Sequence, residues 1–87
     1  MTLIDAMRAS LAPLEPLQLD IRDDSARHAG HGGPHKASGH FDMTIVSSRF
    51  AGKRVMERHR MVYDALGPLM KRDIHALSIV AKTPEET

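Results

Sequence analysis

A chain of 87 residues with a formal charge of +1 is long enough for one domain with a modest core and too short for a deep substrate cleft beside it, and the charge is too near neutral to point to nucleic acid or anionic lipid by bulk electrostatics. The absence of cysteine excludes a disulfide framework, a thiolate nucleophile and a metal site held by the chain's own sulfur, so any metal must be held through nitrogen or oxygen. No long apolar run or charged-then-apolar leader occurs, since Leu3-Ile4 is interrupted at once by Asp5 and Arg8, and the expectation is a soluble cytoplasmic protein without membrane contact.

Thr2 can cap a helix whose third position is Asp5, and Leu3, Met7 and Leu11 fall at i, i+4 and i+8 on one stripe until Pro13 closes it. After the Pro13 to Pro16 turn, Leu17, Leu19 and Ile21 alternate with Gln18, Asp20 and Arg22, the period of two of a strand with one wet face. From Asp23 to Ser38 periodicity vanishes, and Gly30, Gly32, Gly33 and Pro34 predict a mobile loop.

The compositional anomaly is six histidines beside three aromatic residues, and His28, His31 and His35 all fall in that loop. A single loop histidine reads as a polar surface residue; the spacing His-x-x-His-x-x-x-His can instead bring two or more imidazoles to one ion, at the entropic cost of ordering the loop. Phe41, Met43 and Ile45 then alternate with His40, Asp42 and Thr44, predicting a second strand able to pair antiparallel with the first. His40 reads first as a satisfied strand-face histidine and second as a ligand. Ser47-Ser48 begins a turn, Phe50 is expected to cover the sheet end, and Gly52 permits a tight bend.

The main helix is expected from about Arg54 to Leu66, with Val55, His59, Val62, Tyr63 and Leu66 forming its buried stripe and His59 bonded on the apolar side. Lys53, Arg54, Glu57, Arg58, Arg60 and Asp64 are assigned to the solvated face, which could also serve as a docking surface. Gly67-Pro68 stops the helix and starts a second helical piece through Lys71. Ile74 to Ala81 is the third strand, and the two helical pieces before it predict a right-handed crossover that leaves it parallel to the second. Thr83-Pro84-Glu85-Glu86 reads as a cap, a first-position proline and a box glutamate, so a last helix begins as the chain ends.

These residues give little to an enzyme. Ser47-Ser48 lack a nucleophile-elbow sequence, the acids are scattered, and no lysine follows Gly30, Gly32 and Gly33 in phosphate-loop spacing. Imidazole coordination, a helix surface for a partner and a basic face for nucleic acid remain.

The segments Arg58-His59-Arg60-Met61-Val62-Tyr63 and Ile74-His75-Ala76-Leu77-Ser78-Ile79, with Gly39-His40-Phe41, Ile45-Val46-Ser47, Phe50-Ala51-Gly52-Lys53 and Thr83-Pro84-Glu85-Glu86, resemble the BolA family in order and spacing from about Asp20 onward. The resemblance implies one BolA-like domain over residues 1–87. Its fold would be α+β, class II KH-like, of order α-β-β-α-α-β-α, with a three-stranded mixed sheet and helices mainly on one side. It further implies a non-enzymatic partner of monothiol glutaredoxins that shares a bridging 2Fe-2S cluster with the glutaredoxin and glutathione, in iron-sulfur trafficking or iron regulation. By that resemblance the ligands are His75, at the start of the third strand, and a loop histidine, best matched by His28, with His31 or His35 able to substitute. On the residues alone, His75 reads equally as a strand-edge histidine capping the preceding turn. Two imidazoles cannot hold such a cluster alone, so none is expected in the isolated chain, a monomer or weak homodimer. The family is also described as stress-response transcription regulators that bind DNA, which would use Lys53, Arg54, Arg58 and Arg60. Against that, the Gly-x-x-Gly clamp of KH domains is absent, and Phe41, Phe50 and Tyr63 are all assigned to the core, leaving no aromatic to stack on a base.

Overall fold

The computed structural model describes residues 2–24 and 39–87, so the expectations placed on His28, His31 and His35 lie outside the described residues. Helix α1, Leu3–Leu11, starts in the expected capping box: the Asp5 amide donates to Thr2 Oγ1 and the Thr2 amide to the Asp5 carboxylate, both at 3.1 Å. Its stripe delivers Met7 and Leu11 to the core, and Pro13 lies in a 3₁₀ turn, Ala12–Leu14, that ends the helix.

Strand β1, Gln18–Asp23, pairs antiparallel with β2, His40–Val46, and β2 pairs parallel with β3, Ala76–Lys82. The order β1-β2-β3 makes β2 central, and its alternation places Phe41, Met43 and Ile45 under the helices at 5% exposure or less. Leu19 and Ile45, Ile21 and Met43, and Phe41 and Leu77 are register partners, so a one-residue slip of β2 would turn three core side chains to water. Leu17 departs from the expected alternation. It precedes β1 and is exposed.

Ser47 leads out of β2 fully buried. Its hydroxyl donates to the Leu14 carbonyl and accepts from the Arg49 amide, which caps the 3₁₀ turn Ser48–Phe50 and seats Phe50 in the core. Helix α2, Val55–Leu66, then begins with Glu57 accepting from the Arg54 amide at 2.7 Å. Gly67, at φ 54°, ends it, and Pro68 opens the one-turn helix α3, Leu69–Arg72. Ile74 is buried before β3 rather than within it, its amide bonded back to the Leu69 carbonyl. The sheet is thus three-stranded and mixed, with the α+β architecture expected from the sequence. The final Thr83 box forms, but it closes a single 3₁₀ turn, Pro84–Glu86.

The buried stripe of α2 requires a correction. Val62 and Leu66 face the core, but the third buried residue is Arg58; Val55 and Tyr63 are 64% and 41% exposed, and His59 is half-buried. Met61 and Ala65 pack beside the buried set, so the face is rotated from the one that hydrophobicity alone selects. Val55 stands on the first helical turn and is not part of the core cluster. Arg58 enters because each part of its polar head finds a partner.

Candidate functional site

Gly39 has φ 86°, and its carbonyl accepts from the amides of both His75 and Ala76, at 2.8 and 3.0 Å. A β-carbon there would stand 2.9 Å from the His75 nitrogen and 3.0 Å from the Asp73 oxygen. Glycine therefore lets β2 start in close contact with the turn that leads into β3. Because the two strands are parallel, with His40 opposite Ala76, their histidines emerge at the same end of the sheet. The His40 and His75 rings lie with centroids 5.3 Å apart, tilted 37°.

That separation suits joint coordination. Two imidazoles bound at about 2.0–2.1 Å to one tetrahedral metal have ring centres roughly 5 Å apart. His75 is exposed and His40 half-buried, so one ring is open to an approaching partner while the other is set in the sheet. Among the described residues, no group of three or more histidine, cysteine, aspartate or glutamate side chains is arranged to hold a metal. Sequence periodicity ranked His40 below the loop histidines because it carries no information about which strand starts lie side by side.

The basic residues divide. Lys53, Arg54 and Arg60 are exposed, as expected, but Arg58 does not belong to that face. Its Nε donates to the Lys53 carbonyl at 2.9 Å, Nη1 to the Ala81 carbonyl at 3.0 Å and to Glu86 Oε1 at 2.6 Å, and Nη2 to Glu86 Oε2 at 3.0 Å. The hydrogen bonds from Arg58 and from the Thr83 amide hold the Glu86 carboxyl at about 2, below its ordinary 4.5, and Glu86 in turn raises Arg58. Four of the five N–H donors of this guanidinium are thus engaged within the chain, and its charge is paired with Glu86. Tyr63 is likewise on the surface rather than in the core, which places one aromatic on the helix that carries Arg60. The paired arginine was legible only as the box glutamate at Glu86; nothing in the spacing named its partner.

The chain is an α+β domain whose mixed sheet brings two imidazoles together where its parallel strands begin. The chain belongs to the BolA family: the description BolA-like protein matches residues 11–86. It is 46% identical over 78 residues to SufE-like protein 1, chloroplastic/mitochondrial, of Arabidopsis thaliana, covering 84% of this chain and 21% of that protein. It is 36% identical over 75 residues to the DNA-binding transcriptional regulator BolA of Escherichia coli (strain K12), covering 86% of this chain and 69% of that one. The chain spans 21% of SufE-like protein 1 and 48% of Protein BOLA1, chloroplastic, of Arabidopsis thaliana, and 58% of BolA-like protein 1 of Mus musculus. Among solved structures, BolA1 from Arabidopsis thaliana superposes with a TM-score of 0.84 at 39% identity, covering 100% of this chain and 98% of that one. No helix among the described residues is long and apolar enough to cross a membrane.

Proposed function

We propose that this BolA-family chain is a non-enzymatic, cytoplasmic partner of a monothiol glutaredoxin and supplies imidazole ligands to a 2Fe-2S cluster that the two proteins share with glutathione. The observation that carries the reading is the exposed His75 ring beside His40, 5.3 Å between centroids, in a chain without cysteine. The donor set fits the cargo: Rieske centres hold one iron through two imidazoles, and the partner's cysteine and glutathione would hold the other through sulfur. His75 supplies one nitrogen. The second comes from His28 or His31, as the family resemblance implied, with His40, whose ring lies 5.3 Å from that of His75, as the alternative. The test is reconstitution of the chain with a monothiol glutaredoxin, glutathione, iron and sulfide. Visible absorption and circular dichroism should give a heterodimer spectrum distinct from that of the glutaredoxin homodimer, and the reading fails if no heterodimer forms.

The name of the E. coli relative and the exposure of Lys53, Arg54 and Arg60 favour a second reading, a DNA-binding regulator using the N-terminal end of α2. Binding to duplex DNA should then weaken steeply with salt and lose slope as these three residues are neutralised. Absence of binding at low salt ends that reading.

A further inference from the structure

Among the described residues, one side of β1 has no neighbouring strand, since the sheet order is β1-β2-β3. The Asp24 amide donates to the His40 carbonyl on β2, and bonded residues alternate along an antiparallel pair. Asp20 and Arg22 therefore turn their backbone groups to β2, and Leu19, Ile21 and Asp23 turn theirs to the open edge. Arg8 agrees with that alternation: its Nη1 reaches over from α1 and donates to the Leu19 carbonyl at 2.9 Å. The two edges of the sheet are thus closed unequally. On β3 the covering guanidinium, Arg58, is buried and bonded twice to Glu86. On β1 the covering guanidinium, Arg8, is exposed and reaches the strand through a single hydrogen bond. A cavity of about 300 Å³ lies against this edge, lined by Arg8, Asp20, Ile21, Arg22, Asp42 and Thr44.

We propose that the open edge of β1 is the seam of a symmetric homodimer, with Arg8 as the latch that must leave the Leu19 carbonyl before a second copy pairs. The charges on β1 select both the occupant and the register. Edge-facing residues must meet edge-facing residues, so the twofold axis passes through a single residue of the strand. An axis through Asp20 or Asp23 sets a carboxylate against itself. An axis through Arg22 opposes two guanidinium groups and sets Asp20 against the second copy's Asp24. An axis through Leu19 needs the Leu17 amide, which is already bonded to the Val46 carbonyl at 2.7 Å. The axis through Ile21 brings Ile21 against Ile21 on the helical side and, on the open face, sets Asp20 opposite the second copy's Arg22 in both directions. No like charges then stand directly opposite one another, and each facing pair of opposite sign favours the register. Arg22 already pairs with Asp42 of β2 at 3.6 Å, so the completed row of Asp42, Arg22 and the second copy's Asp20 alternates in sign across the seam. Within one copy Asp20 accepts from the neutral Gln18 amide at 2.8 Å. A strand of another protein would meet the backbone groups but not this self-complementary pattern. The seam uses no histidine and does not depend on the cluster reading.

The experiment follows the full chain by sedimentation velocity over a concentration series and by amide hydrogen exchange. Wild type should associate reversibly to a dimer, and exchange of the Leu19 and Ile21 amides should slow as the dimer forms. Arg8→Ala should tighten association about tenfold, because one Arg8 bond in each copy no longer has to break. Asp20→Arg and Arg22→Asp each place like charges opposite one another and should leave the chain monomeric, while an equimolar mixture of the two variants should restore the dimer. Both side chains are exposed, and circular dichroism should show both variants folded; the exchange measurement needs no variant. Wild type and Arg8→Ala that both stay monomeric at the highest soluble concentration overturn the proposal. Dimers that survive Asp20→Arg, a mixture that stays monomeric, or Leu19 and Ile21 amides whose exchange is unchanged on association overturn it equally.

Discussion

Arg58 grips Glu86 with two parallel hydrogen bonds, Nη1 to Oε1 at 2.6 Å and Nη2 to Oε2 at 3.0 Å, across 28 residues of sequence. The same guanidinium covers the Ala81 carbonyl on β3, an edge strand whose outward backbone groups would otherwise be open at that point. One side chain therefore ties the start of α2 to the end of β3 and to the last turn. Arg58→Ala should lower the melting temperature by more than about 5 °C, and Glu86→Ala by less, because Arg58 then keeps its bonds to Lys53 and Ala81. Arg58→Lys should not restore the wild-type value, since an ammonium cannot reproduce the planar fork. A thermal melt of Arg58→Ala within about 2 °C of wild type would show that the pair is incidental.

The pair also sets an acid response. Glu86 titrates at about 2 in the folded chain against an ordinary 4.5, so its contribution to stability is fully present above 4.5 and is lost as pH falls from there to about 2. Protonation leaves the Arg58 charge facing a neutral acid. Urea titrations over this range should show wild type and Glu86→Gln converging at the acid end and wild type gaining the advantage as pH rises. Curves that stay parallel throughout would sink the assignment.

The rotated face of α2 separates two substitutions of the same chemistry. Val62 is fully buried, so Val62→Asp places an unpaired charge in the core and should abolish cooperative unfolding. Val55 is 64% exposed in the first turn, where a carboxylate meets the positive end of the helix dipole, so Val55→Asp should melt at or slightly above the wild-type temperature. Circular dichroism melts of the two variants decide between this face and the one that the hydrophobic period suggests.

Local chemistry made most of the fold legible in advance. The Thr2 box, the alternation of Phe41, Met43 and Ile45, the stop at Gly67-Pro68 and the parallel return of β3 each follow from a short stretch of sequence. What the sequence concealed depends on contacts between distant segments. An arginine is scored as polar, so nothing local reveals that Arg58 is buried once Glu86 arrives from the chain's end, and Val55 and Tyr63 are placed on the buried stripe while Val62 and Leu66 are placed there correctly. Likewise Gly39 and His40 adjoin His75 only through strand pairing. The resemblance to the BolA family pointed to His75, and the coordinates added the neighbour that no spacing rule could supply.

The histidines give the last prediction. The chain alone should bind no stable iron-sulfur cluster, because neutral imidazoles cannot replace four thiolates; with glutaredoxin and glutathione it should form the mixed complex. His75→Ala removes the exposed ring and should erase the spectral difference between the heterodimer and the glutaredoxin homodimer. His28→Ala should weaken the difference, with His31 restoring part of it, so that the double variant falls to the level of His75→Ala. With a loop histidine as the second ligand, His40→Ala should leave the band positions unchanged, although its half-buried ring lies 5.3 Å from that of His75. Each variant is compared by visible circular dichroism at equal glutaredoxin concentration. A spectrum for His40→Ala that matches His75→Ala would move the second ligand from the loop to β2, and unchanged spectra for every variant would remove imidazole from the cluster altogether.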